Sequence, residues 1–143
     1  MTATTLPTTA DITETTTTRR PLLRAGLRYG AAAAVATTAV AAIASAAGVS
    51  FEIKGEAIPL LGFAQMTLLW TFVGVGIAAL VRRFASSPSA MWVKVAVALV
   101  AVSFVPDVTA DAATGTKLAL MLTHVVAAAI VIPAIARALP EHK

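Results

Sequence analysis

The stretch Leu118 to Ala136, LALMLTHVVAAAIVIPAIA, decides the fold because it runs for nineteen residues without Lys, Arg, Asp or Glu. At ~1.5 Å per residue, a helix of this length reaches across the ~30 Å hydrocarbon core of a bilayer. Lys117 precedes the stretch and Arg137 follows it, so charged groups stand only at its ends. We therefore predict a membrane-spanning helix here, and its one titratable side chain is His124.

The composition of the whole chain points to the same solvent. Of its 143 residues, 58% are hydrophobic and 13% are charged, whereas soluble domains carry roughly 25% charged residues. The chain has no cysteine, which excludes disulfides, thiolate metal sites and iron–sulfur clusters. With only His124 and His142 as histidines, one chain cannot offer paired intramembrane imidazoles to a haem. We expect no cofactor and no metal site.

Three further apolar stretches complete the predicted architecture, an all-α integral membrane four-helix bundle. The predicted spans cover about 30–49, 60–81, 91–108 and 118–137, inside a transmembrane domain at 27–139. Residues 1–26 are predicted to form a disordered, threonine-rich cytoplasmic arm, because a segment with few large apolar side chains cannot offset the entropy of ordering. Residues 140–143 form a short tail.

The first span has a second interpretation, as a cleaved signal. The segment from Thr18 to Arg24, TRRPLLR, resembles a twin-arginine signal, and Ala44-Ser45-Ala46 resembles a small-residue cleavage site. The apolar core of a signal is ~7 to 15 residues long, whereas the stretch from Gly30 to Val49 has twenty residues. This length favours a retained helix, and whether the span is retained or cleaved stays open.

The basic residues predict the orientation. Nine lie on one side of the predicted membrane, and two lie on the other. The nine are Arg19, Arg20, Arg24, Arg28, Arg82, Arg83, Lys94, Arg137 and Lys143, and the two are Lys54 and Lys117. By the positive-inside rule, both termini are predicted to be cytoplasmic in a multi-pass protein of the cell membrane. The pI of about 10.1 is thereby explained without nucleic acid as a partner.

Small residues predict the helix faces that pack. The first span is mostly alanine, and Gly30, Ala34 and Thr38 have the spacing of close helix contacts, although compositional alanine bias explains the same pattern. In the second span, one stripe with 3–4 spacing is predicted to face inward. It consists of Gly62, Gln65, Leu69, Phe72, Gly76 and Ala79. A homo-oligomer or a membrane-protein partner is expected to use such faces, with the lipid bilayer around them.

Polar side chains near the outer ends of the spans form a candidate functional cluster. Counting from those ends places Gln65 and His124 at a similar depth of ~8 to 9 Å. The predicted cluster comprises His124, Gln65, Asp107, Ser103, Thr123 and Asp111. One interpretation gives His124 a structural hydrogen bond to Gln65 or to a backbone carbonyl. The other gives it a role in proton handling or ligand binding, as is common for ionisable residues within spans.

The segment from Gly30 to Leu139 resembles a family of small, uncharacterised four-helix membrane proteins found in actinobacteria. The similarity lies in the alanine-rich first span, the short acidic outer loops, and the sequence TKLAL at 116–120 leading to Leu122-Thr123-His124. This resemblance implies the four-helix membrane fold, and it implies no mechanism because the function of that family is unknown.

Known chemistries are disfavoured by missing motifs. Small multidrug exporters of similar length depend on a carboxylate within the first span, and 30–49 contains no acid. A nucleophile elbow, a zincin helix and a P-loop are also absent from the sequence, so no enzymatic activity is predicted. We predict a non-catalytic binding, accessory or structural membrane protein. The alternative is a small transporter or ligand-binding bundle that uses the polar cluster around His124.

Overall fold

A computed structural model describes residues 9–140, with their side chains described from Pro21 onward. The chain forms α1 (Thr9–Ala46), β1 (Glu52–Ile53), β2 (Glu56–Ala57), α2 (Leu60–Phe84), α3 (Pro88–Thr109) and α4 (Thr114–Ala138). All four helices are long and apolar enough to cross a membrane, and in α1 the qualifying part is Pro21–Ala46. The prediction of four apolar helices is confirmed, and they indicate a multi-pass membrane protein.

Helix α1 begins earlier and ends earlier than the sequence predicted. Residues 9–26, assigned above to a disordered arm, belong to this helix, and residues 1–8 lie outside the described part. Extending a formed helix costs far less than nucleating one. The helix stops at Ala46 because Gly48 adopts a φ of 94°. The Gly48 and Val49 amides donate to the carbonyls of Ser45 and Ala44, which is the Schellman arrangement that closes a helix.

The helices pack in an uneven bundle. Helix α1 packs extensively against both α2 and α4, and α3 packs mainly against α4. The contact between α2 and α3 is smaller, and α2 barely touches α4. Buried apolar side chains form two clusters, one toward each end of the bundle. The first includes Leu22, Ala33, Val75, Trp92 and Ile135, and the second consists of Ala41, Phe51, Phe63, Ala119 and Leu120.

Two glycines bring α1 close to α2. A Cβ atom on Gly26 would overlap with Cγ2 of Val75, and one on Gly30 would lie 2.9 Å from Cγ2 of Thr71. Two turns beyond Gly30 in α1, the hydroxyl of Thr37 shares a hydrogen bond of 2.9 Å with the hydroxyl of Thr67 in α2. Glycine is required at 26 and 30 because a side chain there would separate the backbones.

The predicted contact set Gly30, Ala34 and Thr38 is only partly the one observed. Gly30 and Ala34 are buried, whereas Thr38 is half-buried. The Thr38 hydroxyl donates to the carbonyl of Ala34 on its own helix, at 2.8 Å. The hydroxyl that reaches α2 belongs to Thr37, so the packed face is rotated relative to the prediction.

The predicted inward stripe of α2 is wrong. Gln65, Leu69, Phe72 and Gly76 are exposed, and Gly62 and Ala79 are half-buried. The buried residues of α2 are instead Phe63, Thr71, Val75 and Ala78. The 3–4 spacing gave the wrong face because lipid-facing side chains are as apolar as buried ones. Hydrophobic spacing therefore does not distinguish the two faces of a helix in a bilayer.

A small β-hairpin replaces the predicted polar loop between α1 and α2. Its strands pair antiparallel, with Glu52 opposite Ala57. Lys54 and Gly55 between them have φ values of 54° and 83°, as in the type I′ turn that suits two-residue hairpins. Phe51 is buried before the hairpin, and its ring meets the ring of Phe63 edge-on at 5.0 Å. The hairpin therefore covers one end of the bundle.

Charges divide between the two ends of the bundle, which we name the basic end and the acidic end. Among the described side chains, the basic end carries Arg82, Arg83, Lys94 and Arg137, with no acid, and Arg24 and Arg28 lie farther along α1 from that end. The acidic end carries Glu52, Glu56, Asp107 and Asp111, together with Lys54 and Lys117. The separation follows the alternation of helix directions, since each connection returns the chain to the opposite end.

Candidate functional site

The structure brings together two residues of the predicted cluster, Asp107 near the end of α3 and His124 in α4. The Nδ1 atom of His124 lies 3.0 Å from Oδ2 of Asp107. The backbones of the two residues lie at different heights along the antiparallel helices. Asp107 is two residues from the end of α3, whereas His124 is ten residues into α4 and so lies deeper in the bundle. Helical side chains lean toward the N-terminus of their own helix. The two side chains thus lean toward each other.

The imidazole makes a second contact that determines which of its nitrogens carries the proton. Nδ1 also lies 3.0 Å from the carbonyl oxygen of Leu120, one turn earlier in α4. Because both neighbours of Nδ1 are acceptors, we assign the proton of the neutral ring to Nδ1. One N–H cannot point well at two acceptors. Oδ2 of Asp107 has no hydrogen-bond partner of good geometry among the described residues, despite its short distance to the ring.

The two side chains differ in exposure. The carboxylate side chain of Asp107 is 9% exposed, whereas the imidazole of His124 is 40% exposed. The ring of Phe104 meets the imidazole edge-on, with centroids 6.3 Å apart and planes at 80°. With Nδ1 directed at the two acceptors, Nε2 is the nitrogen of the neutral ring that can accept a hydrogen bond. The arrangement is a buried carboxylate that holds a half-exposed imidazole.

Ser103 and Thr123 lie close in sequence to this pair, and both bond to their own helices. The Ser103 hydroxyl donates to the carbonyl of Val100 at 2.7 Å. The Thr123 hydroxyl is buried and donates to the carbonyl of Leu120 at 2.7 Å. Both hydroxyl protons are therefore used within a helix, which is the usual way for Ser and Thr to satisfy their hydroxyls inside helices.

Gln65 and Asp111 lie outside the contact. Gln65 is exposed on α2, and α2 has little contact with α4. Asp111 is exposed in the loop between α3 and α4, and its carbonyl accepts a hydrogen bond from the Lys54 amide at 3.1 Å. Its side chain borders an open cleft of about 600 Å³ between the hairpin and this loop. Neither His124 nor Asp107 lines this cleft.

The sequence reasoning missed two polar contacts between helices. The indole of Trp92, which is 3% exposed, donates from Nε1 to the carbonyl of Ile132 at 3.0 Å and joins α3 to α4. Thr37 and Thr67 join α1 to α2. A signal for close packing of α1 on α2 was present, because GLRYG at 26–30 has the GxxxG pattern of closely packed membrane helices.

The arrangement limits the chemistry available to the site. Among the side chains described from Pro21 onward, no group of three His, Cys, Asp or Glu is placed to hold a metal ion. The Asp107–His124 pair is suited to exchanging a proton or to accepting a hydrogen bond at Nε2. Lys117 at the start of α4 is engaged elsewhere, since its Nζ donates to the carbonyl of Val108 at 3.0 Å.

Comparison with known proteins identifies the family of the chain. No curated protein and no solved structure matches it. One family model, described as a family of unknown function (DUF6069), matches residues 17–141, which takes in all four apolar helices and the Asp107–His124 pair. The chain therefore belongs to the DUF6069 family.

Proposed function

We propose that the protein is a non-catalytic binding or accessory protein of the cell membrane, inserted with both termini in the cytoplasm. The observation that carries this proposal is the use of polar side chains inside the helices. Thr37, Thr67 and Trp92 connect one helix to another, and Asp107 and His124 connect α3 to α4. These groups hold the bundle together, and neither described cleft includes the ionisable pair.

A cleft lined by small residues supports the proposal that the protein binds a partner in the membrane. An apolar cleft of about 430 Å³ opens between α1 and α2. It is lined by Ala34, Val35, Thr38, Ala39, Ala42 and Ala64. Small side chains permit close approach of another helix, so the proposed partner is a second copy of the chain or another membrane protein. The actinobacterial origin suggested by the sequence stays a prediction.

The orientation is tested by cysteine labelling, because the chain has no cysteine of its own. Glu56→Cys in the hairpin and Ser86→Cys between α2 and α3 replace exposed residues at opposite ends of the bundle. In intact cells, a membrane-impermeant maleimide should label Glu56→Cys, and it should label Ser86→Cys only after lysis. The reverse pattern would refute the proposed orientation.

The accessory role is tested with His124→Asn and His124→Ala. If His124 only connects helices, His124→Asn should retain most of the stability because its amide still donates, whereas His124→Ala leaves Asp107 without its partner. Removing one partner of a buried polar contact costs roughly 1–3 kcal/mol, measured as the free energy of unfolding in mixed micelles. Equal losses in both variants would contradict the structural role.

The second candidate is a small transporter or ligand-binding bundle that uses His124. Two observations favour it. Oδ2 of Asp107 is buried without a well-aligned donor, and the imidazole beside it is half-exposed. Proteoliposomes with a trapped pH-sensitive dye separate the two proposals. The accessory role predicts proton flux equal to that of empty vesicles, whereas a transporter predicts added flux that is lost in His124→Asn.

A further inference from the structure

The contacts between α1 and α2 set the depth of two arginines. Gly26 lies against Val75, and Gly30 lies against Thr71 on the antiparallel helix. Arg28, midway between the glycines, is therefore level with Val73. By the same register Arg24 is level with Ile77.

This level lies well inside the apolar part of α2. Residues 60–81 contain no charged residue, and Arg82 is the first charge after them. Arg28 is nine residues from the level of Arg82, which is roughly 14 Å along the helix axis. Arg24 is five residues from it, or roughly 8 Å. The sequence analysis placed both arginines before the first span, on the cytoplasmic side, whereas the packing places them beside the apolar part of α2.

Arg24 and Arg28 lie on the outer surface of the bundle. Arg24 and Arg28 are exposed and one turn apart on α1, while the opposite face of the same turns is buried through Leu22, Gly26 and Gly30. Their exposed neighbours Leu23 and Leu27 are large and apolar. The arginines thus emerge from a surface that is suited to lipid.

No protein group balances these charges in the described part of the chain. Neither arginine has a hydrogen bond or an ion pair with the described residues, and every described acid lies at the acidic end. An unpaired cation at membrane depth is costly. Arginine side chains in α1 lean toward the basic end and extend toward the headgroups, but the distance from Arg28 exceeds the length of one side chain.

We infer that Arg24 and Arg28 form a binding site for the phosphate of an anionic phospholipid in the leaflet at the basic end. Arginine recognises phosphate through paired, charge-assisted hydrogen bonds, and two arginines one turn apart present two such groups on one face. The lipid is held by its phosphate, which is drawn inward from the headgroup level to the two guanidinium groups, while its acyl chains lie along the exposed Leu23 and Leu27. This inference rests on the membrane insertion proposed above.

The test measures lipid selectivity in vesicles of phosphatidylcholine that contain phosphatidylglycerol. The full-length protein is reconstituted, extracted in mild detergent, and the two retained lipids are quantified by mass spectrometry. Wild-type protein should be enriched in phosphatidylglycerol, and Arg24→Gln/Arg28→Gln should lose about fivefold in enrichment for each arginine removed. The matched control is Lys54→Gln/Lys117→Gln, which removes two positive charges at the acidic end and should retain the enrichment.

Three results would overturn the inference. Wild-type protein without enrichment would show that no site exists. An equal loss in the control pair would show that the effect follows net charge instead of position. Displacement of phosphatidylglycerol by millimolar inorganic phosphate in the detergent extract would assign the site to a soluble anion. Vesicle flotation is measured in parallel, so that failure to insert, which would refute the proposed membrane function, is distinguished from failure to select lipid.

Discussion

Replacing Gly26 by alanine tests the close packing of α1 on α2. The added methyl group would overlap with Cγ2 of Val75, whereas carbon atoms in contact normally lie about 3.5–4.0 Å apart. Either the valine must leave its position or the helices must separate by more than about 1 Å. Separation would also stretch the hydrogen bond between Thr37 and Thr67, which is 2.9 Å long in the native packing.

The expected cost is that of overpacking, typically about 1–3 kcal/mol. We expect Gly26→Ala to lie at the upper end of this range, because the contact is the shortest at any described glycine. Gly30→Ala should cost less, since its methyl group would lie 2.9 Å from Cγ2 of Thr71, which is a smaller overlap. The assay is reversible unfolding in mixed micelles of increasing SDS fraction, followed by far-UV circular dichroism.

Gly76→Ala is the control, because a Cβ atom there has no neighbour within 4 Å. This variant should be neutral or stabilising, since alanine is a better helix former than glycine. In the double variant Gly26→Ala/Val75→Ala, the clashing methyl group is gone, so the cost of Gly26→Ala should largely disappear in a double-mutant cycle. If Gly26→Ala is as neutral as Gly76→Ala, the register between α1 and α2 described above is incorrect.

Three further changes test other contacts, each by the free energy of unfolding in the same assay. Trp92→Phe removes the indole donor to α4 and should cost about 1 kcal/mol. The control Trp70→Phe, at an exposed site, should be neutral. Equal effects of the two changes would contradict the buried hydrogen bond. Thr37→Val should cost about 0.6 kcal/mol, the average for hydrogen bonds between membrane helices. If the effects of Thr37→Val and Thr67→Val are additive in a double-mutant cycle, the two hydroxyls do not interact. Gly55→Val should cost about 1 kcal/mol or more, because a β-branched side chain does not tolerate the positive φ; an unchanged stability would exclude the type I′ turn.

The helices were predictable, and the reason is visible in α4. A bilayer demands about twenty apolar residues per helix, and Lys117 and Arg137 bracket such a stretch. The helical ends were less predictable. Residues 9–26 look disordered by composition, yet the structure extends α1 to Thr9, because composition alone does not account for cheap extension of an adjacent helix.

The faces of the helices were not predictable from hydrophobic spacing. In α2, the stripe that includes Gln65 and Phe72 faces outward, and Phe63, Thr71 and Val75 face inward. The pairing of Asp107 with His124 could be anticipated because both residues lie near the same end of the bundle. The separation of Gln65 from them could not, since it depends on the rotation of α2, which the glycines of α1 determine.

The polar contacts and close glycine contacts between helices also explain how the bundle adopts one rotation and register of its helices. Between apolar helices in lipid, burial adds little preference for one face over another, so the choice falls to the few groups that need a specific partner. On the α3–α4 pair, the Trp92 indole donates to the carbonyl of Ile132, and Asp107 lies against His124 farther along the two helices. Two separated contacts determine both rotation and register. On the α1–α2 pair, Gly26 and Thr37 have the same effect. The Asp107–His124 contact therefore contributes to specificity even where its net contribution to stability is small, as is known for some buried polar contacts. It follows that His124→Asn, which retains a donor, should preserve the arrangement of α3 on α4.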